Sequence, residues 1–226
     1  VGKLDGFVIF VPFVITGEVA LVEITECKKN FARAKLLQIL NPSSDRVDPK
    51  CQYFGECGGC QYQHIDYKAQ QHIKLEQVRN LFQRIGGFKS EVVGDLIPCP
   101  MPFSYRNRIM IRRQWDKYQK KAVYGFLRAQ DRLVIDLERC EIAEEALNEQ
   151  LQEVRKNPPP RNMQKVVLRM MPDDWEIHHE SFFQNNFHLI PRLVEVVRSC
   201  FSDAGTKHLV DTYCGIGFFS ISLADL

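Results

Sequence analysis

The sequence predicts an α+β multidomain protein: a small β-barrel, an α+β central module around a cysteine loop, and the start of a Rossmann-like α/β domain. Three observations carry this. Short apolar runs separated by Asp5-Gly6 and Thr16-Gly17 turns fill residues 7–40, the signature of close-turned strands. Three thiols, Cys51, Cys57 and Cys60, fall within ten residues. Near the far end, Val210-Asp211-Thr212-Tyr213-Cys214 runs into Gly215-Ile216-Gly217, a strand entering a glycine turn at a helix start. The modules so defined are residues 1–48, 49–180 and 181–226.

The composition agrees with a soluble globular chain. Its 226 residues are 45% hydrophobic and 26% charged, with a net charge of +2. Fifteen Phe, seven Tyr and two Trp supply the apolar area that disordered chains lack. The longest apolar run, residues 7–15, contains Pro12 and is less than half of what a bilayer span requires. No charged segment precedes a sustained apolar one, so no signal peptide is expected, and the cytoplasm is. Eight cysteines are too few for a disulfide scaffold.

Element by element, residues 7–14 and 18–24 read as strands, and residues 31–40 as a strand or a short helix. Several such strands with close turns make a small barrel, and Asn41-Pro42-Ser43-Ser44-Asp45 reads as its linker. Ile73, Val78, Leu81, Phe82 and Ile85 recur at roughly helical spacing, which predicts a helix over 67–85 closed by Gly86-Gly87. Residues 109–111 and 123–126 predict strands flanking a turn near Asp116, and Leu133-Val134-Ile135 a further short strand. An acidic helix is predicted from Ile142 to about Val154, ahead of Pro158-Pro159-Pro160. Residues 166–170 and 175–178 read as a hairpin around Pro172-Asp173-Asp174. Leu189, Leu193, Val196 and Val197 predict an amphipathic helix ending near Ala204-Gly205, before the strand at 208–214.

The near-neutral charge is an average. Residues 105–121 hold seven Lys/Arg and one Asp, a local +6, so the rest of the chain carries −4. Lys28, Lys29, Arg33 and Lys35 form a smaller basic group. Clustering of this kind points to a polyanionic partner, with a solvated strand face as the plain alternative.

The cysteine spacing is C-x5-C-x2-C, and glycines between Cys57 and Cys60 let the loop wrap a metal centre. A fourth ligand would come from Cys140, His64, Cys99 or Cys27. Structural zinc more often uses paired Cys-x-x-Cys units, and three clustered thiols plus a distant one suit an iron–sulfur cluster. The G-x-G turn lacks the third glycine of a dinucleotide fingerprint, Ser220 standing there. S-adenosylmethionine is as compatible with it as NAD.

Taken in order, CQYFGECGGCQYQH at 51–64, Tyr105-Arg106-Asn107-Arg108, Leu137-Glu138-Arg139-Cys140, Phe182-Phe183-Gln184-Asn185-Asn186 and the 211–217 turn are similar to the RNA (uracil-5-)-methyltransferases, in their iron–sulfur 23S rRNA branch. The N-terminal segment resembles the OB-like RNA-binding barrel called a TRAM domain. The resemblance implies that Cys51, Cys57, Cys60 and Cys140 ligate a 4Fe–4S cluster. It implies that Gln184, Asp211, Tyr213, Gly215 and Gly217 bind S-adenosylmethionine, with Phe218 at the mouth of that site. Arg106, Arg108, Arg112 and Arg113 would bind RNA, 23S rRNA in the first place and tRNA as the alternative. Asn185 stands where the family usually has valine, and Phe218 where it often has a polar residue.

In this family a cysteine thiolate adds to carbon 6 of uracil, carbon 5 attacks the methyl group, and a base removes the carbon 5 proton. The motifs for that nucleophile and base have no counterpart in residues 1–226, so no catalytic residue is assigned here. The chain by itself is expected to be inactive, a truncated product, and a monomer. Cys214 matches the cofactor motif and is expected to be a packed strand-end cysteine. A competing reading is a non-catalytic RNA-binding and cluster module.

Overall fold

The computed structural model describes residues 1–173, 175–178, 180–202 and 208–225, and the chain divides into two units, Val1–Pro98 and Cys99–Leu226. In the first unit the apolar runs become β1 (Gly2–Leu4), β2 (Phe7–Phe10), β3 (Val19–Cys27) and β4 (Phe31–Asn41). They form one sheet in the order β1-β2-β4-β3. β1 has no counterpart in the sequence reading. It pairs with β2 across Asp5-Gly6, both at positive φ, as a tight hairpin turn requires. The strand-or-helix segment is a strand, since Ala32 and Ala34 alternate inward with exposed Arg33 and Lys35. β4 is the hub, parallel to β2 and antiparallel to β3. Register shifts along the β3–β4 pair bend it, giving a curled four-stranded sheet with β1 and β3 at its edges where the sequence predicts a small OB-like barrel.

Residues 41–45 are not a free linker. The Glu18 carboxylate, whose side chain has no exposure, accepts hydrogen bonds from the Ile15 amide (2.8 Å), the Ser43 amide (3.2 Å) and Arg46 Nη2 (2.7 Å). The cysteine loop packs back on the same sheet, where Phe13 meets Phe54 and His64 at ring distances of 5.2 and 6.0 Å. These contacts explain why the loop joins the first unit, against a boundary expected at 48/49. α1 (Tyr67–Arg84) starts where Asp66 accepts the Lys68 amide at 2.9 Å. Its apolar stripe is not a core face, as Leu81 remains 57% exposed and Ile85 81%.

In the second unit β5 (Arg108–Asp116) and β6 (Lys121–Gly125) form the expected hairpin. β7 (Lys165–Arg169) flanks β5 on its other side, so the hairpin expected between 166–170 and 175–178 is replaced by a long-range pairing, with Asp174 outside the described residues. Leu133-Val134-Ile135 contributes only a bridge, Leu127 to Val134. α2 (Glu145–Lys156) seats fully buried Leu147 and Leu151 beside a core that includes Ile109, Ile111, Val123, Leu137 and Leu168. A methyl group at Gly125 would stand 2.7 Å from Leu137 Cγ, so close passage of the 135–137 segment demands glycine.

A second apolar cluster joins buried Ile177, Phe183 and Phe218 to Trp175, Phe187, Ile190 and Val194. It brings together the ends of α3 (Ile190–Ser202) and the short α4 (Phe218–Ser222), which is why residues 181–226 belong to the same unit as 99–180. The expected helix end at Ala204-Gly205 lies outside the described residues. The strand expected at 208–214 is absent over those seven residues. Val210 is 80% exposed and, among the described residues, no strand lies beside it to complete a ladder.

Candidate functional site

The glycine turn and the loop before α3 meet through their aromatic residues. Phe183 contacts Phe218 at 5.5 Å, and Trp175 contacts both rings at 5.5 and 6.0 Å. Phe183 is 4% exposed and Phe218 8%. Phe218 is therefore a floor beneath the turn and not an open mouth. Its aromatic type at that position is explained by packing.

Above this floor Gly215 and Gly217 take φ of +55° and +78°, and the Gly217 amide donates to the Cys214 carbonyl at 2.8 Å. Such φ values favour glycine. A Cβ at Gly215 would meet nothing within 4 Å, so that face of the turn is open. Asp211 holds the turn by accepting the Tyr213 amide at 3.2 Å and the Ser220 hydroxyl at 3.5 Å. Ser220, in place of a third glycine, thus has a local role. Tyr213 is 94% exposed. Cys214 is exposed and outside any strand, which corrects its expected burial. An open, side-chain-free turn with an exposed aromatic ring fits a nucleoside-bearing group such as S-adenosylmethionine.

Gln184 is half-buried and is positioned by a residue absent from the predicted set. Asn107, 2% exposed, donates from Nδ2 to the Gln184 carbonyl at 2.8 Å. Its own amide donates to the Asn185 carbonyl at 3.1 Å and its carbonyl accepts the Met170 amide at 2.9 Å. Asn107 ties the 182–186 loop to the sheet. The available signal was one uncharged amide inside a basic motif.

Cys51, Cys57 and Cys60 are partly buried cysteines of the first unit, and Cys140 is a partly buried cysteine of the second. The Gly59 amide points at Cys57 Sγ from 3.4 Å. Burial pushes the Cys57 thiol up, and the nearby Cys60 and Cys51 sulfurs add to this. Partly desolvated thiols that would repel one another once ionised suit a soft metal centre, whose charge relieves that repulsion. Yet no three His, Cys, Asp or Glu side chains are gathered as metal ligands among the described residues. The donor chemistry fits a cluster. Cys140 is clamped by buried Asn148, which accepts the Cys140 amide at 2.8 Å and donates to its carbonyl at 3.3 Å. His64, the alternative ligand, is 3% exposed and packs edge-on against Phe13 and tilted against Phe54. Burial, then the Arg46 charge, holds its pKa below the usual 6.5.

The four predicted RNA-binding arginines do not form one row. Arg106 precedes β5 and its backbone bridges Ala143 and Asn186. Arg108 pairs across the sheet with Arg169, and its Nε is buried without a partner among the described residues. Arg112 and Arg113 lie further along β5, at a groove described below.

Residues 1–37 match the TRAM domain model. The chain is 40% identical over 153 residues to an uncharacterized RNA methyltransferase of Staphylococcus aureus (strain COL), covering 68% of this chain and 34% of the relative. An uncharacterized RNA methyltransferase of Staphylococcus epidermidis is 37% identical over the same length, with 33% of it covered. The chain thus spans about a third of the curated relatives it matches. Its fold is similar to that of the Pyrococcus abyssi tRNA (uracil-54, C5)-methyltransferase solved with S-adenosyl-L-homocysteine, with a TM-score of 0.63 and 22% identity over 96% of this chain and 66% of that one. No helix among the described residues is long and apolar enough to cross a membrane.

Proposed function

We propose that the chain provides RNA and cofactor binding in an S-adenosylmethionine-dependent RNA (uracil-5-)-methyltransferase acting on carbon 5 of a uridine in 23S rRNA. The observation that carries the reading is the open glycine turn, seated on the same aromatic cluster as the Phe182-Phe183-Gln184 loop. The relatives named RNA methyltransferase and the TRAM match support it. S-adenosylmethionine would supply the methyl group. Gly215 and Gly217 give it close backbone approach, Asp211 keeps the turn in shape, Tyr213 offers a ring face, and Gln184 an amide beside it. Phe218 and Phe183 keep water from beneath.

Cys51, Cys57, Cys60 and Cys140 would hold a 4Fe–4S cluster with a structural and RNA-positioning role, because methyl transfer has no redox step. Arg106, Arg108, Arg112 and Arg113, with the basic edge of the TRAM segment, would meet RNA phosphates. The target base must leave its stack to be reached. Thiol ligands are kept reduced in the cytoplasm, where we place the protein, as a monomer. tRNA is the alternative substrate.

Trp175 reports on the cofactor site. With Trp115→Phe as background, Trp175 is the single emitter, and S-adenosylmethionine should change its fluorescence saturably. No saturable change in a chain with native circular dichroism would overturn the cofactor assignment.

A further inference from the structure

Beyond Arg112 the central strand β5 loses its β7 neighbour, because the β5–β7 register ends at Arg112–Lys165. The chain fills the gap with two loops. Residues 160–164 are held by the Arg113 amide on the Gln164 carbonyl (2.9 Å) and by Arg113 Nη1 on the Arg161 carbonyl (3.4 Å). Residues 127–134 are held by Gln114, which accepts the Val134 amide at 2.7 Å. Between them lies a groove of about 690 Å³ whose lining includes Arg112, Arg113, Arg132, Arg161, Trp115 and Gln164.

Its charge is uncompensated. Arg46, Arg139, Arg155 and Arg198, which tie the fold together, each sit on a carboxylate. None of the four groove arginines forms an ion pair among the described residues. The adjacent Asp131 turns a carboxylate oxygen to the Leu133 amide. Four like charges around one groove repel unless an anion enters it. Trp115, on the groove wall, stays 54% exposed, an unusual position for an indole, and Tyr118 at the hairpin tip is 98% exposed. Guanidiniums that follow a phosphate chain, beside an indole face on which a base stacks, are the two halves of single-strand recognition.

We propose that this groove binds a single-stranded RNA segment, phosphates on Arg112, Arg113, Arg132 and Arg161 and one base on Trp115. The proposal rests on the RNA reading above and adds Arg132, Arg161 and Trp115, which lie outside the four arginines drawn from the sequence.

The test is fluorescence anisotropy of a short labelled oligouridylate, and of the same oligomer with abasic positions, titrated with the chain over a range of salt. Arg132→Gln with Arg161→Gln removes two charges from exposed loop side chains and leaves the fold's ion pairs intact. It should weaken both oligomers about tenfold and lower the log–log salt slope by about 1.4, at about 0.7 for each lost phosphate contact. Trp115→Ala should weaken the oligouridylate about tenfold and leave the abasic oligomer unchanged. Wild-type binding with unaltered affinity and slope in the double variant would overturn the groove while the RNA reading stood. Equal loss for both oligomers in Trp115→Ala would overturn the stacking contact. Failure of the wild-type chain to bind either oligomer would overturn groove and RNA reading together.

Discussion

Individual residues decide how the first unit answers to pH. The Arg46 guanidinium and two backbone amides hold the Glu18 carboxyl at about 2, against 4.5 when free. Unfolded chains therefore take up a proton on Glu18 as pH falls below 4.5, and folded ones do not. Stability from this group is complete above pH 4.5 and is lost as pH falls toward 2. His64 adds a higher window: its folded pKa lies below 6.5, so the unfolded state gains protons first, and stability declines as pH drops below 6.5. Urea unfolding against pH should show both declines. Glu18→Gln should erase the lower and cost about 3 kcal/mol at neutral pH, and His64→Phe should erase the upper. Profiles that stay parallel to wild type in both variants would contradict these assignments. The sequence displayed Glu18 as the first residue of a strand, because the partner that matters lies 28 positions away at Arg46. Asn107 and Asn148 were hidden for the same reason, each acting through backbone atoms of distant segments.

Elements with local signals were legible. α1 shows its helical spacing and the Gly86-Gly87 stop, α2 its acidic run ahead of Pro158-Pro159-Pro160, and the β5–β6 hairpin shows its turn near Asp116, which accepts the Tyr118 and Gln119 amides. Elements that depend on a neighbour were not. β7 joins β5 rather than the segment after it, and residues 208–214 have strand-like composition without a strand beside them. The cysteine loop stands between these cases, its spacing plain while Cys140, the fourth ligand proposed for it, belongs to the second unit. If it carries a cluster, the purified chain should be brown, with iron and sulfide in equal amounts. Cys57→Ala should lose both and soften the first unit toward urea. A colourless wild-type chain holding zinc instead would return the loop to a zinc site.

For the molecule as a whole, the proposed function would divide RNA and cofactor binding between the two units. The first presents the TRAM-matched sheet with Lys28, Lys29, Arg33 and Lys35 exposed. The second carries the arginine groove and the glycine turn. The near-neutral net charge of +2 conceals this arrangement, since Glu18, Asp136 and Asp225 pair with structural arginines and leave the groove arginines without an ion pair among the described residues. The proposed methylation of uridine carbon 5 is probed most sharply by deleting the gene in its host and measuring 5-methyluridine in nucleoside digests of separated 23S rRNA and tRNA. The expected outcome is loss of 5-methyluridine from the 23S rRNA fraction, restored by a plasmid copy. Unchanged 5-methyluridine in both fractions would contradict it.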